Sequence, residues 1–311
     1  MPNSSPITAI QHPIFAHAKI KVYVKRDDLI HPIISGNKWR KLKYNIALAK
    51  ASGKTGIVSF GGAYSNHIHA LSYACKLNQL NAVGIIRGEP HYLSNATLSQ
   101  ASSWGMDCQF VDRLTYKHRN QADYLAQLQK KYANYLIVPE GGTNQLALKG
   151  VAEVITELDQ QLDYDTIITP VGSAGTISGL ISADDNRHPI LGINVLKGAH
   201  YLKEEIEHLL SNQTQNLNNW QLFNDFHLGG YAKFSNDDAN TLAKINQQMG
   251  ITFEPVYSGK MMLGFLTLVE QGYFEAGQTV VLLHTGGLQG INGLLERKKL
   301  ASDQWPWQLV Q

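Results

Sequence analysis

Lys38 ends a short Gly-Asn turn within the octet Ser-Gly-Asn-Lys-Trp-Arg-Lys-Leu at 35–42. A lysine amine is a useful nucleophile only when its surroundings lower its pKa, and a helix start inside a cleft does so. Lys38 is therefore a candidate Schiff-base lysine, whereas the neighbouring Lys41 and Lys43 are expected to be solvated. The octet alone fits a solvated helix face as well, so the interpretation depends on other motifs.

A second motif, Pro-Val-Gly-Ser-Ala-Gly-Thr-Ile-Ser-Gly at 170–179, joins an apolar run to a helical pattern. Small residues at a helix start allow backbone N–H groups to approach a phosphate closely, and the hydroxyls of Ser173 and Thr176 add donors. The motif lacks the Gly-Lys-Ser/Thr of a Walker loop and the spacing of a dinucleotide fingerprint. It fits a small monophosphate, and it fits equally a tight turn with helix-packing glycines.

Three further turns carry polar groups, at 61–67, 254–260 and 284–287. Ser65 is expected to cap the following helix, and Asn66 offers a donor and an acceptor beside it. Tyr257 and Ser258 are placed to flank a substrate carboxylate or leaving group, and Thr285 to bond a ring nitrogen. Each turn also has a purely structural reading, as a helix cap, an aromatic anchor or a satisfied hydroxyl.

Apolar runs alternate with amphipathic stretches along the chain, and Gly or Pro marks many of the junctions. This alternation predicts parallel sheets covered by helices on both faces. Strands are expected at 56–62, 82–86, 108–111, 136–139, 166–172, 190–195 and 279–284, and helices at 66–77, 93–103, 116–132, 144–162, 200–210 and from 175. Sites in such folds lie beyond the carboxyl ends of the strands, where the Gly-rich turns would converge.

The composition of the chain argues against several classes of protein, among them nucleic-acid-binding, membrane-spanning and secreted proteins. The 311 residues suggest two domains or one large one, and the net charge of +2 comes without a basic stripe for nucleic acid. There is no apolar run long enough for a membrane span, and the start shows no signal-peptide pattern. Cys75 and Cys108 form no metal or disulfide framework, which favours a cytoplasmic protein.

The polar segment 211–221 is expected to be a surface connector, and the tail from 305 is expected to pack on the body or on a partner subunit.

Six motifs now occur in order along nearly the whole chain: Lys-Arg-Asp-Asp-Leu, Gly-Asn-Lys-x-Arg-Lys-Leu, Gly-Gly-x-x-Ser-Asn-His, Gly-Ser-x-Gly-Thr, Pro-Val-Tyr-Ser-Gly-Lys and His-Thr-Gly-Gly. In the presence and order of these motifs, the sequence resembles the pyridoxal 5′-phosphate enzymes of the 1-aminocyclopropane-1-carboxylate deaminase / D-cysteine desulfhydrase family. The resemblance implies an α/β fold of the tryptophan-synthase-β type (fold type II), with two open parallel-sheet domains. It assigns 1–46 and 157–311 to a large cofactor-binding domain and 47–156 to a smaller inserted domain.

The resemblance also implies residue roles. Lys38 would hold the cofactor and later move protons, with Ser65 or Tyr257 assisting. The other implied cofactor contacts are Asn66 at the phenolic oxygen, Thr285 at the ring nitrogen, and Gly172, Ser173, Ala174, Gly175 and Thr176 at the phosphate. The implied substrate contacts are Ser65, Asn66, His67, Tyr231, Tyr257 and Ser258. Ala174 stands where the family often has Gly, a departure that a helix-start residue with negative φ tolerates.

One difference from the family's motifs distinguishes between the two activities for which the family is named. The deaminases carry Tyr-Glu where this chain carries Tyr257-Ser258, and opening a cyclopropane without an α-hydrogen demands more of the acid/base groups. The sequence therefore favours D-cysteine desulfhydrase-like α,β-elimination, giving pyruvate, ammonia and sulfide. The alternatives are a 1-aminocyclopropane-1-carboxylate deaminase and a non-catalytic protein that binds the cofactor or another phosphorylated ligand. The family precedent implies a homodimer, with a small amino acid as substrate and no metal.

Overall fold

A computed structural model describes residues 4–305 and places their strands in two sheets. The larger sheet has six strands in the order β1 (Ile7–Ile10), β2 (Lys21–Lys25), β10 (Thr279–Leu283), β7 (Thr166–Val171), β8 (Ile190–Asn194) and β9 (Trp220–Phe223). The smaller sheet has four, in the order β5 (Met106–Val111), β4 (Asn81–Arg87), β3 (Gly56–Gly62) and β6 (Tyr135–Ile137).

Helices cover these sheets and connect most of the strands. They are α1 (Pro13–Ala18), α2 (Asn37–Ala51), α3 (Asn66–Leu77), α4 (Ala96–Ser103), α5 (Arg113–Lys117), α6 (Ala122–Lys131), α7 (Gln145–Gln161), α8 (Gly175–Asp184), α9 (Tyr201–Leu210), α10 (Asn236–Met249), α11 (Ser258–Glu270) and α12 (Gly290–Glu296). Every residue of β7, β8 and β10 is buried, as expected for strands covered on both faces. Between residues 4 and 305, no helix is long and apolar enough to cross a membrane.

The predicted α/β class with parallel sheets is confirmed, with one exception at an edge. β1 pairs with β2 in antiparallel register, Ile7 opposite Lys25, whereas all the other strand pairs given by the structure are parallel. The sequence prediction did not include these two strands. In β2, polar residues alternate with apolar ones, and burial alternates partly with them.

Two local predictions were wrong. The helix predicted at 116–132 is two helices, α5 and α6. The first begins before residue 116, because Asp112 caps it by accepting the backbone N–H groups of Leu114 and Thr115. The break between them holds Arg119, whose Nε lies 2.6 Å from Glu140. The connector predicted at 211–221 ends early, since Trp220 begins the edge strand β9. Trp305 is buried in the large-sheet core, and residues 306–311 lie outside the described residues.

A buried ionic cluster fixes the first turn of α2. Arg40 donates to Asp27 at 2.6 Å and to Glu157 on α7 at 2.8 Å, and the Lys25 amine lies 2.6 Å from Glu157. Ser5 joins the cluster by donating to Asp27 at 2.7 Å. Since each charge has a close partner of opposite sign, burial of the cluster is tolerated.

Candidate active site

The Gly-rich turns converge on one cavity of about 1290 Å³, situated where strands of both sheets end. The helices that begin at its wall or just behind it include α2, α3, α8 and α11. Of the predicted site residues, the following line the cavity: Lys38, Ser65, Asn66, His67, Gly172, Ser173, Thr176, Tyr231, Tyr257 and Thr285. Ala174, Gly175 and Ser258 are absent from its lining.

Lys38 enters the cavity from the first turn of α2. Its amine donates to Asn37 Oδ1 at 2.8 Å, and burial lowers its pKa to about 8, although Glu254 opposes the shift. Gly36, with φ +66°, allows the turn to press against the end of β10, where Asn37 N–H donates to the Thr285 carbonyl at 3.2 Å. An amine with this pKa is partly neutral near pH 7.5, as a nucleophilic lysine requires.

The turn after β7 forms a cradle at the start of α8. Ser173 and Thr176 present hydroxyls, and Thr143 donates to Ser173 Oγ at 3.2 Å. Ala174 has φ −64°, so its Cβ causes no backbone strain, as expected. At Gly175, an added Cβ would lie 2.9 Å from Thr143 Oγ1 and 3.0 Å from the Lys41 amine.

The structure contradicts the expectation that Lys41 is solvated. Its side chain is buried, and its amine lies 3.3 Å from Ser173 Oγ and 3.4 Å from the Gly141 carbonyl. Burial, reinforced by the nearby Lys38 charge, lowers its pKa well below the usual value. Sequence reasoning missed this residue, although a spacing of three places it on the same helix face as Lys38. Lys43 differs, since it forms a partly exposed ion pair with Glu153.

The turn before α3 has the predicted capping geometry. Ser65 Oγ accepts the Ile68 N–H at 3.3 Å, so its capping role is confirmed. Asn66 begins the helix and accepts a hydrogen bond from Gln289. His67 bonds Ser59 through Nε2 at 2.7 Å, and burial lowers its pKa to about 3, which keeps the ring neutral. Its buried Nδ1 has no hydrogen-bond partner among the residues described.

The third motif forms a paired-tyrosine wall of the cavity. The rings of Tyr231 and Tyr257 meet edge to face at 6.0 Å. Burial raises the pKa of Tyr257 well above its usual value, and Tyr231 raises it further, so the phenol retains its proton. Tyr257 also lies against Gly172, where an added Cβ would be 2.6 Å from its ring.

Ser258 lies behind this wall, so its predicted contact with substrate is not supported. It is fully buried, and its Oγ accepts the Glu254 N–H at 2.9 Å. Glu254 in turn accepts the N–H groups of Val256, Tyr257 and Ser258 at 2.7, 2.8 and 2.9 Å. Burial raises the Glu254 pKa to about 7 despite these bonds. Sequence reasoning assigned no role to this carboxylate, which orders the turn that carries Tyr257.

A family model described as pyridoxal-phosphate dependent enzyme matches residues 6–286, a span that includes Lys38, the cradle at 172–176 and Thr285. The chain belongs to this pyridoxal-phosphate dependent enzyme family. Its members' cofactor, pyridoxal 5′-phosphate, is therefore the cofactor of this enzyme. Among the described residues, no cluster of three or more His, Cys, Asp or Glu side chains is placed to hold a metal ion.

Relatives within the family carry two names. A Thermotoga maritima protein provisionally named 1-aminocyclopropane-1-carboxylate deaminase is 30% identical over 284 residues, which cover 87% of this chain and 89% of that one. D-cysteine desulfhydrase of Serratia proteamaculans is 27% identical, with 86% of each chain covered. A solved 1-aminocyclopropane-1-carboxylate deaminase homologue is 25% identical, covers 95% of this chain and 93% of its own, and superposes with a TM-score of 0.82.

The cavity fits the cofactor of this family. A phosphate is bound by backbone N–H groups at a helix start, by hydroxyls and by a cationic amine. The start of α8 and Ser173 would provide the first two, and Lys41 would provide an amine whose charged form a phosphate beside it favours. The absence of a Cβ at Gly175 keeps the space beside Lys41 and Thr143 open. Lys38 would supply the amine that such a cofactor binds covalently.

Proposed function

We propose that this enzyme is a lyase acting on a small amino acid, with D-cysteine as the preferred substrate. The observation that carries the proposal is the placement of the Lys38 amine, with its pKa of about 8, in the same cavity as the cradle, the Ser65 turn and the tyrosine wall. We infer that the reaction removes the α-proton and expels the β-thiol. With one water, the resulting enamine gives pyruvate and ammonia alongside the sulfide.

The functions proposed for the residues of the cavity are as follows. Lys38 would hold the cofactor and, once released, carry the α-proton. The start of α8 with Ser173, Thr176 and Lys41 would hold the phosphate, and Asn66 and Thr285 the ring. The bound cofactor withdraws the electrons of the bond that breaks. Ser65 and Asn66 would hold the substrate carboxylate at the start of α3, where backbone N–H groups favour an anion.

Two residues favour loss of a thiol from D-cysteine over opening of the cyclopropane ring. Thr285 presents a neutral hydroxyl, which cannot keep a ring nitrogen protonated as a carboxylate does. A milder electron sink suits a good leaving group such as a thiol. Ser258 stands where the deaminases carry glutamate, and within residues 4–305 its hydroxyl forms hydrogen bonds with groups of Glu254 alone. The deaminase reaction is the second candidate, because relatives of similar identity bear that name.

A substrate panel tests this proposal. Purified protein is incubated with D-cysteine, L-cysteine and 1-aminocyclopropane-1-carboxylate, and sulfide, pyruvate, 2-oxobutyrate and ammonia are measured. We expect stoichiometric pyruvate, ammonia and sulfide from D-cysteine. Faster 2-oxobutyrate production from the cyclopropane would place the deaminase first, and a coloured protein that turns over none of the three would support a binding protein.

A lysine variant tests the role assigned to Lys38. Lys38→Ala should lose both the visible absorption of the bound cofactor and all turnover. Lys43→Ala, on the exposed side of the same helix, is the matched control and should retain both. Undiminished absorption and turnover in Lys38→Ala would refute the assignment.

We also propose that the enzyme is a cytoplasmic homodimer. The family resemblance supports the dimer, and two cysteines without a disulfide support a reducing compartment. Sedimentation equilibrium tests the dimer, since a monomer mass at micromolar concentration would contradict it.

A further inference from the structure

The loop that carries Tyr231 has an unusual backbone. Four residues within 228–232 adopt positive φ: Leu228 at 51°, Gly229 at 92°, Gly230 at 118° and Ala232 at 51°. Two of them are not glycine, and left-handed backbone at such residues is unfavourable. The loop therefore needs external contacts to hold Tyr231 in the cavity wall.

Those contacts converge on the amine of Lys260, in the first turn of α11. Lys260 is fully buried, and its amine donates to the carbonyls of Val195 at 3.3 Å, His227 at 2.7 Å and Gly230 at 2.5 Å. An ammonium has three protons, so these three carbonyls use all of them. No carboxylate of the described residues lies within ion-pair distance of this amine.

The three carbonyls come from two parts of the chain. Val195 follows β8, whereas His227 directly precedes the positive-φ residues of the loop and Gly230 is one of them. Burial lowers the Lys260 pKa to about 8, and Glu254 and Asp238 oppose the shift. The amine is therefore mainly charged at pH 7, and a cation attracts carbonyl oxygens more strongly than a neutral donor does.

We propose that Lys260 acts as a tethered cation in a cage of backbone carbonyls, and that it positions Tyr231 on the substrate side of the cavity. Its ammonium occupies a site that would otherwise suit a free monovalent cation such as K⁺ or NH₄⁺. Lys260 is a positioning residue, since it acts on the substrate through Tyr231. Only the effect on substrate rests on the proposed function, because the cage and the loop order do not depend on the reaction.

Three variants distinguish a cationic role of the Lys260 amine from a role in packing alone. Lys260→Ala removes the ammonium and leaves space, Lys260→Met removes the charge but fills the space, and Lys244→Ala alters an exposed lysine on α10 as the control. Loop order is measured by the rate of tryptic cleavage after Lys233, an exposed residue of the same loop. Each protein is studied in KCl, NH₄Cl and choline chloride at equal ionic strength.

We expect Lys260→Ala in choline chloride to be cleaved at least about tenfold faster than wild type, because loss of even one hydrogen bond to a charged group has an effect of that size. KM for D-cysteine should rise more than kcat falls. KCl or NH₄Cl should restore both readouts in Lys260→Ala but not in Lys260→Met, and wild type and Lys244→Ala should be indifferent to the salt.

The outcomes that would overturn the proposal are distinct from failure of the proposed function. Unchanged proteolysis of Lys260→Ala in choline chloride would show that the loop does not need the ammonium. An equal defect of Lys260→Ala in all salts, or failure of both Lys260 variants to fold in any of them, would show a packing role. Folding of Lys260→Ala only in KCl or NH₄Cl would support the cage. The cleavage assay gives these answers even if D-cysteine is not the substrate.

Discussion

The contact between Gly36 and Thr285 gives a sharp prediction, because it joins the Lys38 turn to the end of β10. A Cβ added at Gly36 would lie 1.9 Å from the Thr285 carbonyl oxygen and 2.2 Å from its carbon. Real Cβ contacts essentially never fall below 3.0 Å, so Gly36→Ala must separate the two segments by more than 1 Å.

The cost of Gly36→Ala has three sources. Gly36 combines φ +66° with ψ −143°, close to a region that is essentially restricted to glycine and that costs another residue about 1–3 kcal/mol. Forced repacking costs about 1–3 kcal/mol more. Loss of the hydrogen bond from Asn37 N–H to Thr285 costs about 1 kcal/mol. We therefore expect the free energy of unfolding to fall by about 3–7 kcal/mol. A displacement of more than about 1 Å should weaken cofactor binding or turnover by roughly 100-fold.

Gly53→Ala is the matched control for this variant. Gly53 has nearly the same φ, +64°, but nothing lies within 4 Å of its added Cβ. It should therefore show only the backbone term, about 1–2 kcal/mol, and normal cofactor binding. Urea denaturation of the cofactor-free proteins measures stability, and visible absorbance during cofactor titration measures binding. If Gly36→Ala were no less stable than Gly53→Ala and bound cofactor equally well, the argument from close approach would be refuted.

Three other substitutions test separate parts of the site. Lys41→Met should weaken binding of pyridoxal 5′-phosphate by about 10- to 100-fold through loss of a charge-assisted bond, and an unchanged affinity in equilibrium titration would exclude Lys41 from the phosphate site. Glu157→Gln should cost about 3–5 kcal/mol at pH 7 because it leaves the buried Lys25 amine without its ion-pair partner and removes a carboxylate from Arg40, which keeps Asp27. Burial raises the Glu157 pKa, but those cations lower it overall, so the wild-type advantage should be complete above about pH 4.3, the ordinary glutamate value, and disappear as pH falls further. A denaturation series in which the advantage grew toward low pH would contradict this. Ser258→Glu should lower the melting temperature without creating deaminase activity, because it places a second carboxylate beside buried Glu254; efficient release of 2-oxobutyrate by this variant would reverse that conclusion.

Much of the site could be predicted because its residues follow strands in recognisable turns. Lys38, Ser65 and Thr285 each stand at a strand–turn–helix junction, and the parallel topology brings such junctions together. The predicted convergence of the Gly-rich turns is confirmed. The catalytic and binding roles assigned to these residues stay predictions.

The buried lysines could not be predicted in the same way. Lys41 and Lys260 resemble ordinary helix lysines in the sequence, and their environment depends on groups far along the chain. Lys41 meets Ser173, and Lys260 meets carbonyls 30 to 65 residues away. Every residue has a backbone carbonyl, so the sequence does not indicate which carbonyls will surround a lysine. Such a cage can be recognised only in the folded structure. The helix break at 118–121 has a similar cause, since it places Arg119 against Glu140.

The strand order also has a consequence for how the chain folds during synthesis. The four strands of the smaller sheet lie between residues 56 and 137, so this sheet can form early as a local unit, as domains commonly do on the ribosome. The larger sheet cannot, because β10 (279–283) separates β2 from β7 at its centre. A nascent chain, or one truncated before residue 279, leaves the facing edges of β2 and β7 unpaired, and such edges promote aggregation. The enzyme can therefore acquire its cofactor only after nearly the whole chain has emerged.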